Sequence, residues 1–258
     1  MEVFVIALLA LLQGFTEFLP ISSSGHLVVA QHLFRWTQGN VALDAALHLG
    51  TAISIIAVFR KDILGLIAGL ASKAPAKRKA SRTYAGWLIA ASIPAGLAGV
   101  LFKDFFERRF LDVRTAGIMF FVSAAFLLAS GLRKGPSAPL NLPKAVIVGL
   151  AQALAILPGI SRSGSTISTA LLLGTERKEA GRFSFLLGLP AILGASFLEL
   201  RDLSEIALPP GYLALGIALS AVTGFFALNL LLKFVERGRL HIFGYYLIVL
   251  GLLCLIFL

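Results

Sequence analysis

Charge is what this chain has least of. Charged residues fill 14% of its 258 positions, where a soluble globular domain carries roughly 25%, and hydrophobic residues fill 58%. So little polar surface cannot hydrate a globule of this size, which argues for a polytopic helical membrane protein folded as one integrated domain. Cysteine is nearly absent too. Cys254 stands alone in the last apolar segment, which excludes an intrachain disulfide and leaves no thiolate cluster for a metal. Acidic residues are scarce, 13 Asp and Glu against 23 Lys and Arg, for a net charge of +10. An excess of this kind can signal nucleic acid, but here the basic residues stand in short loops between apolar runs, the pattern that sets membrane topology. Nucleic acid is therefore not an expected partner. The N-terminus has Glu2 in place of a basic n-region, and its apolar run leads into Ile21-Ser22-Ser23-Ser24-Gly25. That is no small-x-small cleavage site, so a removable signal peptide is not expected.

Against this background two polar clusters stand out. The first runs from Gln13 through Glu17, Pro20, Ser22, Ser23, Ser24 and Gly25 to His26; the second runs from Gln152 through Pro158, Gly159, Ser161, Arg162, Ser163 and Gly164 to Thr166. Overlaid without gaps, Gln13 matches Gln152, Ile21-Ser22 matches Ile160-Ser161, and Ser24-Gly25 matches Ser163-Gly164. The ionisable residues differ: a carboxylate and an imidazole in one copy, a guanidinium in the other. Ionisable groups at membrane depth are costly and mark function by default.

The apolar runs near Leu43–Phe59, Tyr84–Phe102, Thr115–Leu132, Phe183–Leu198, Tyr212–Leu232 and Ile242–Leu258 are long enough to span. Four others are too short: Val3–Leu12, Leu27–Phe34, Ala145–Leu157 and Ile167–Leu173. Ten residues at about 1.5 Å each cross only half the hydrocarbon core. Each short pair is therefore expected to form a re-entrant hairpin, its first arm ended by Pro20 or by Pro158-Gly159, with the polar turn buried in protein. The repeat continues beyond the hairpins, since Ala46-Leu47-His48-Leu49-Gly50 resembles Ser184-Phe185-Leu186-Leu187-Gly188 and Tyr84…Ser92…Gly96 parallels Tyr212…Ser220…Gly224. The expected fold is an all-α inverted repeat within one domain, 1–258, each half holding one hairpin and three spans. The halves cover about 1–134 and 144–258, joined by a linker at 135–143, and three spans per half give them opposite orientation.

Loop charge predicts the sides. Arg60, Lys61, Lys73, Lys77, Arg78, Lys79, Arg82, Arg133, Lys134, Lys144, Arg177, Lys178, Arg182, Lys233, Arg237 and Arg239 fall on one side, which should be cytoplasmic. The run Lys73–Arg82 is expected to be a topogenic loop touching anionic lipid. Arg35, Lys103, Arg108, Arg109, Arg114 and Arg201, mixed with Asp104, Glu107, Asp112, Asp202 and Glu205, fall on the other side. Both termini and the mouth of the first hairpin then face outward.

Gln13 and Glu17 lie four apart and share a helix face. His26 begins the second arm, where unpaired N–H groups and the helix dipole favour an anion. The stretch from Ser161 to Thr166 offers a second helix N-terminus with hydroxyls and a guanidinium fork suited to phosphate. Ser22, Ser24, Gly25, Ser161, Ser163, Gly164 and Thr166 are thus candidate phosphate contacts, with Gln13 and His48 behind them.

Gln-x-x-x-Glu followed by Phe-Leu-Pro-Ile-Ser-Ser-Ser-Gly-His, together with Pro-Gly-Ile-Ser-Arg-Ser-Gly-Ser-Thr, resembles the undecaprenyl-pyrophosphate phosphatases of the bacitracin-resistance (BacA) type, and does so along essentially the whole chain. The flanking His48-Leu49-Gly50-Thr51 and Phe59-Arg60-Lys61-Asp62 also fit. The resemblance implies a bacterial inner-membrane enzyme that removes the terminal phosphate of undecaprenyl diphosphate. It carries over Glu17 and His26 as catalytic, Ser23 as leading candidate nucleophile with His26 as the alternative, and Arg162 as phosphate clamp with Ser161 and Thr166 nearby. Many members have Glu where Gln13 stands, which weakens a two-carboxylate metal site. A diphosphate nevertheless carries more charge than Arg162 balances, so a divalent cation, Mg2+ or Ca2+, is an expectation at Glu17; no organic cofactor is implied. Lipid substrate and membrane lipid are the expected partners, and a homodimer is compatible with the reading. The rival is a secondary transporter or lipid flippase on the same frame.

Overall fold

The computed structural model describes residues 2–33, 41–102, 105, 112–133, 135–201 and 209–258. Among the described residues it holds eleven α-helices: α1 (Glu2–Phe18), α2 (Ser23–Leu33), α3 (Val41–Val58), α4 (Arg60–Leu70), α5 (Pro75–Leu101), α6 (Val113–Leu132), α7 (Leu142–Leu154), α8 (Arg162–Leu172), α9 (Arg177–Arg201), α10 (Pro210–Glu236) and α11 (Ile242–Phe257). An isolated backbone bridge joins Ala138 to Thr175.

Four of these helices are long and apolar enough to cross a membrane: Pro75–Leu101, Val113–Leu132, Arg177–Phe197 and Pro210–Glu236. Large apolar side chains cover the outside, including Phe4, Val100, Phe197, Phe226 and Phe257. In water such a surface would aggregate, whereas in lipid it is the expected exterior. The chain is a multi-pass integral membrane protein.

Packing shows how the short arms are held. α1 lies along α10, α3 beside both α10 and α9, α7 along α5, and α6 beside α11. Lipid tails are as apolar as leucine, so helices associate by close approach over small residues. Gly14 of α1 sits against Thr223 and the Ser220 carbonyl of α10, and Gly149 of α7 against the Ala91 backbone of α5. α1 starts beside the N-terminal part of α10, where Ile6 meets Gly216, and ends at Phe18 against Gly224, near the middle of that 27-residue helix. The first arm thus stops about halfway along its neighbour, and the turn that follows it is deep inside the bundle.

Two sequence expectations need correction. Lys73–Arg82 is not a loop: α5 begins at Pro75, and the connection narrows to 71–74. Proline suits the first helical position, and Ala, Lys and Arg are good helix formers, so the helix outruns its apolar part. α4 is the second departure, a short helix after a break at Phe59 that packs antiparallel on α5 with Gly69 against Ser81. Helix α9 likewise starts at Arg177, ahead of its apolar stretch. Phe34, Arg35, Lys103, Asp104, Glu107, Arg108, Arg109, Lys134, Asp202 and Glu205 lie outside the described residues.

Candidate active site

The two polar turns meet. α1 carries Gln13 and Glu17 to its C-terminal end, and Pro20 forces the chain out of helix in the next turn. Ser22 adopts φ 68, left-handed for a residue with a side chain, and its Oγ then accepts the N–H of Gly25 at 3.3 Å to cap α2. Ser161, its match in the second cluster, caps α8 the same way, accepting the Gly164 N–H at 3.0 Å. Ser163 reaches across and donates to the Phe18 carbonyl at 3.0 Å, tying the second hairpin to the first. The Pro158-Gly159 turn is held from α6: Ser123 donates to the Gly159 carbonyl at 2.9 Å and accepts the Ser161 N–H at 2.7 Å. Both partners are buried backbone groups, so Ser123→Ala should lower stability by about 1–3 kcal/mol, read as a drop in thermal midpoint; an unchanged midpoint would show that the turn is held by other means.

At the centre is the Glu17 carboxylate, its side chain 7% exposed. Ser23 Oγ donates to Oε2 at 2.6 Å, Arg162 Nη2 donates to Oε1 at 2.7 Å, and Gln13 Nε2 reaches Oε2 at 3.3 Å. His48 Nε2 stands 3.7 Å from Oε2, while its Nδ1–H donates to the Asp44 carbonyl at 2.7 Å. Four helices, α1, α2, α3 and α8, thus supply one cluster. Its second guanidinium nitrogen, Arg162 Nη1, is buried and unpartnered. It lies against Gly188 of α9, where a Cβ would overlap it, and the guanidinium is 5.9 Å from the Phe185 ring centroid.

Other predicted residues are placed differently. His26 makes no hydrogen bond with Glu17, Ser23 or Arg162. Its Nδ1–H donates to the Ser22 carbonyl at 2.8 Å, and its Nε2 pairs with the Tyr246 hydroxyl of α11 at 2.7 Å. A carbonyl only accepts, so in the neutral ring Nε2 is the acceptor of the Tyr246 proton. Ser24 Oγ pairs with Ser22 Oγ at 3.3 Å, and Ser161 Oγ with Ser163 Oγ at 3.3 Å. Thr166 donates to the Arg162 carbonyl at 2.7 Å and pairs with Ser184 at 2.5 Å. Most hydroxyls expected at phosphate therefore cap and brace the turns, as do Gly25 and Gly164 by giving their N–H groups to serine caps.

A divalent cation takes about six oxygen ligands. Beside Glu17 the chain offers the unpartnered Gln13 Oε1, and no group of three His, Cys, Asp or Glu occurs among the described residues. One carboxylate already paired with a guanidinium does not build a cation site, and no step below runs through one. Tyr246, Ser123, Phe185 and Gly188 are the contributors that sequence reasoning missed. Phe185 and Gly188 did stand in the repeat matched to Leu47 and Gly50.

A hydroxyl bonded to a buried carboxylate, with a guanidinium on the carboxylate's other oxygen, is an arrangement that can activate the hydroxyl, and it suits a membrane-embedded hydrolase. The profile of the family described as Bacitracin resistance protein BacA matches residues 6–253, so the chain belongs to that family. It is 41% identical to an undecaprenyl-diphosphatase of Geotalea daltonii over 266 aligned positions, covering 100% of this chain and 98% of that protein. Undecaprenyl-diphosphatases of Thermomicrobium roseum (43%, covering 99% and 98%) and Alcanivorax borkumensis (40%, covering 100% of both) are similarly related.

Proposed function

We propose that this chain hydrolyses undecaprenyl diphosphate to undecaprenyl phosphate and inorganic phosphate, recycling the lipid carrier of peptidoglycan synthesis, with bacitracin resistance as the implied consequence. The observation that carries the mechanism is the Glu17 carboxylate shared between the Ser23 hydroxyl and the Arg162 guanidinium. Glu17 Oε2 takes the Ser23 proton as Oγ attacks the terminal phosphorus. The Oγ–P bond forms, the bridging P–O bond breaks, and undecaprenyl phosphate leaves. Glu17 gives that proton up to the leaving phosphate, and its freed carboxylate then takes a proton from the water that attacks the phosphoserine and returns it to Oγ as phosphate departs. Arg162 Nη1, without a protein partner, takes an oxygen of the transferring group, so that charge developing there meets a fixed cation in a water-poor site. His26 Nε2, on exchanging Tyr246 for substrate, relays the proton from Glu17 to the leaving phosphate.

The proposed frame is an inverted repeat, 1–134 and 144–258, each half one re-entrant hairpin and three spans. It is supported by the matched serine caps and by the docking of each first arm on an equivalent helix of the other half, α1 on α10 and α7 on α5. The basic loops are proposed to face the cytoplasm and the mouth of the first hairpin the outside of the inner membrane. A transporter on this frame needs no nucleophile, and the 2.6 Å Ser23–Glu17 bond favours chemistry over carriage.

The test is phosphate release by the purified protein in detergent or nanodiscs. Turnover of undecaprenyl diphosphate that is lost in Glu17→Gln is expected. A folded wild-type protein that releases no phosphate, or a Glu17→Gln variant with wild-type turnover, would end the proposal.

A further inference from the structure

The end of the bundle away from the N-terminus of α1 holds a second, separate cluster of donors. A cleft of about 460 Å3 is lined there by Arg133 and Ser130 of α6, Ser137 of the connecting segment, Thr175, Arg177 and Lys178 at the start of α9, and Glu236 at the end of α10. Phe18 meets α10 at Gly224 and the cleft meets it at Glu236, so about 18 Å of helix separates the cleft from the Glu17 site. α8 joins the two, with Arg162 at its first residue and Leu171 on the cleft.

Several observations set this cleft apart from a loop that is basic only for topology. Two guanidinium groups are seated on glycines in left-handed turns. Gly174, φ +84, lies under Arg133, and Gly238, φ +68, lies under Arg177; a Cβ at either position would overlap the arginine. Arg133 is fixed further by donating to the Gly135 and Pro136 carbonyls at 3.4 and 2.9 Å, and Arg177 by donating to the Glu236 carbonyl at 3.3 Å. A topogenic charge needs none of this placement. Thr175 is the independent sign of a ligand: it lines the cleft, is 3% exposed, and its Oγ1 has no partner. A buried hydroxyl is normally satisfied, and one left open beside fixed cations awaits an acceptor. The first N–H groups of the 25-residue α9 add orphan donors and the positive end of its dipole. Glu176 and Glu236 also line the cleft and are exposed, as are Arg177 and Lys178, so three cations face two carboxylates there.

We propose that this cleft is a binding site for a terminal phosphate group, with Thr175 Oγ1, Arg133, Arg177 and Lys178 as its donors. The chemistry is that of free inorganic phosphate or of a lipid headgroup bearing a terminal phosphate. The site does not depend on the assignment of the Glu17 centre.

The experiment uses the full-length protein carrying Arg162→Ala, so that the Glu17 centre does not contribute, in phosphatidylcholine nanodiscs. One arm titrates inorganic phosphate by calorimetry. The other incorporates phosphatidic acid in phosphate-free buffer and reads lipid retention by native mass spectrometry. Binding in either arm, weakened about tenfold by Thr175→Val or Arg177→Gln, is expected, since one charge-assisted hydrogen bond is worth about that factor; the arm that responds identifies the source. Thr175→Val conserves shape and keeps the test valid should Arg133 or Arg177 variants misfold. Absence of binding in both arms, or binding that is indifferent to Thr175, Arg133 and Arg177 together, would overturn the proposal.

Discussion

Ser23→Ala is expected to lower phosphate release by a factor on the order of a thousand or more, with folding and membrane insertion unchanged, since removing a covalent nucleophile has effects of that size or larger. The geometry favours Ser23 over His26. Ser23 Oγ lies 2.6 Å from a carboxylate oxygen that can take its proton. The only ring nitrogen of His26 that can carry a lone pair in the observed bonding faces the Tyr246 hydroxyl at 2.7 Å. Radiolabelled substrate quenched during turnover should leave label on Ser23. Label on His26, or a Ser23→Ala variant within tenfold of wild type, would transfer the nucleophile to the imidazole.

A second large effect is expected at a residue without a side chain, Gly188 of α9. This position touches Arg162 Nη1 so closely that no Cβ fits beside it. In Gly188→Val the guanidinium must move, and Glu17 Oε1 loses its 2.7 Å partner. Helix propensity alone would favour the substitution, yet breaking a buried ion pair by displacing one partner costs about 3–5 kcal/mol. We expect a lower thermal midpoint and a fall in turnover of about a hundredfold or more, the scale seen when one preorganised donor is removed from an active site. A Gly188→Val protein with wild-type turnover would show that Arg162 acts from another position.

Much of this arrangement was legible in the residues. Arms too short to span, each ending at Pro20 or Pro158-Gly159, announced buried turns, and a lone Glu17 and a lone Arg162 in apolar sequence had few partners other than each other. What was hidden falls into two physical classes. Helix extent was one: Lys77–Arg82 and α4 are helical through propensity and packing on each other, which a search for apolar runs does not detect. The other was the use of the hydroxyls. Ser22 and Ser161 read as phosphate donors, and their Oγ atoms also accept N–H groups that a helix N-terminus leaves open, a second use that residue type alone does not reveal. Tyr246 carried no signal, being one tyrosine in an apolar helix whose contact with His26 spans 220 positions of sequence. Gly188 carried a faint one, through the repeat match to Gly50.

Everything above requires the two hairpins to meet at the Glu17–Arg162 pair, and a double-mutant cycle on thermal stability addresses that contact. Glu17→Gln and Arg162→Gln should each destabilise the protein by leaving the other charge buried without its partner. The double variant should then be more stable than the sum of the two losses by about 1–3 kcal/mol, the coupling found between residues in direct contact. Losses that simply add would place Glu17 and Arg162 apart and contradict the account.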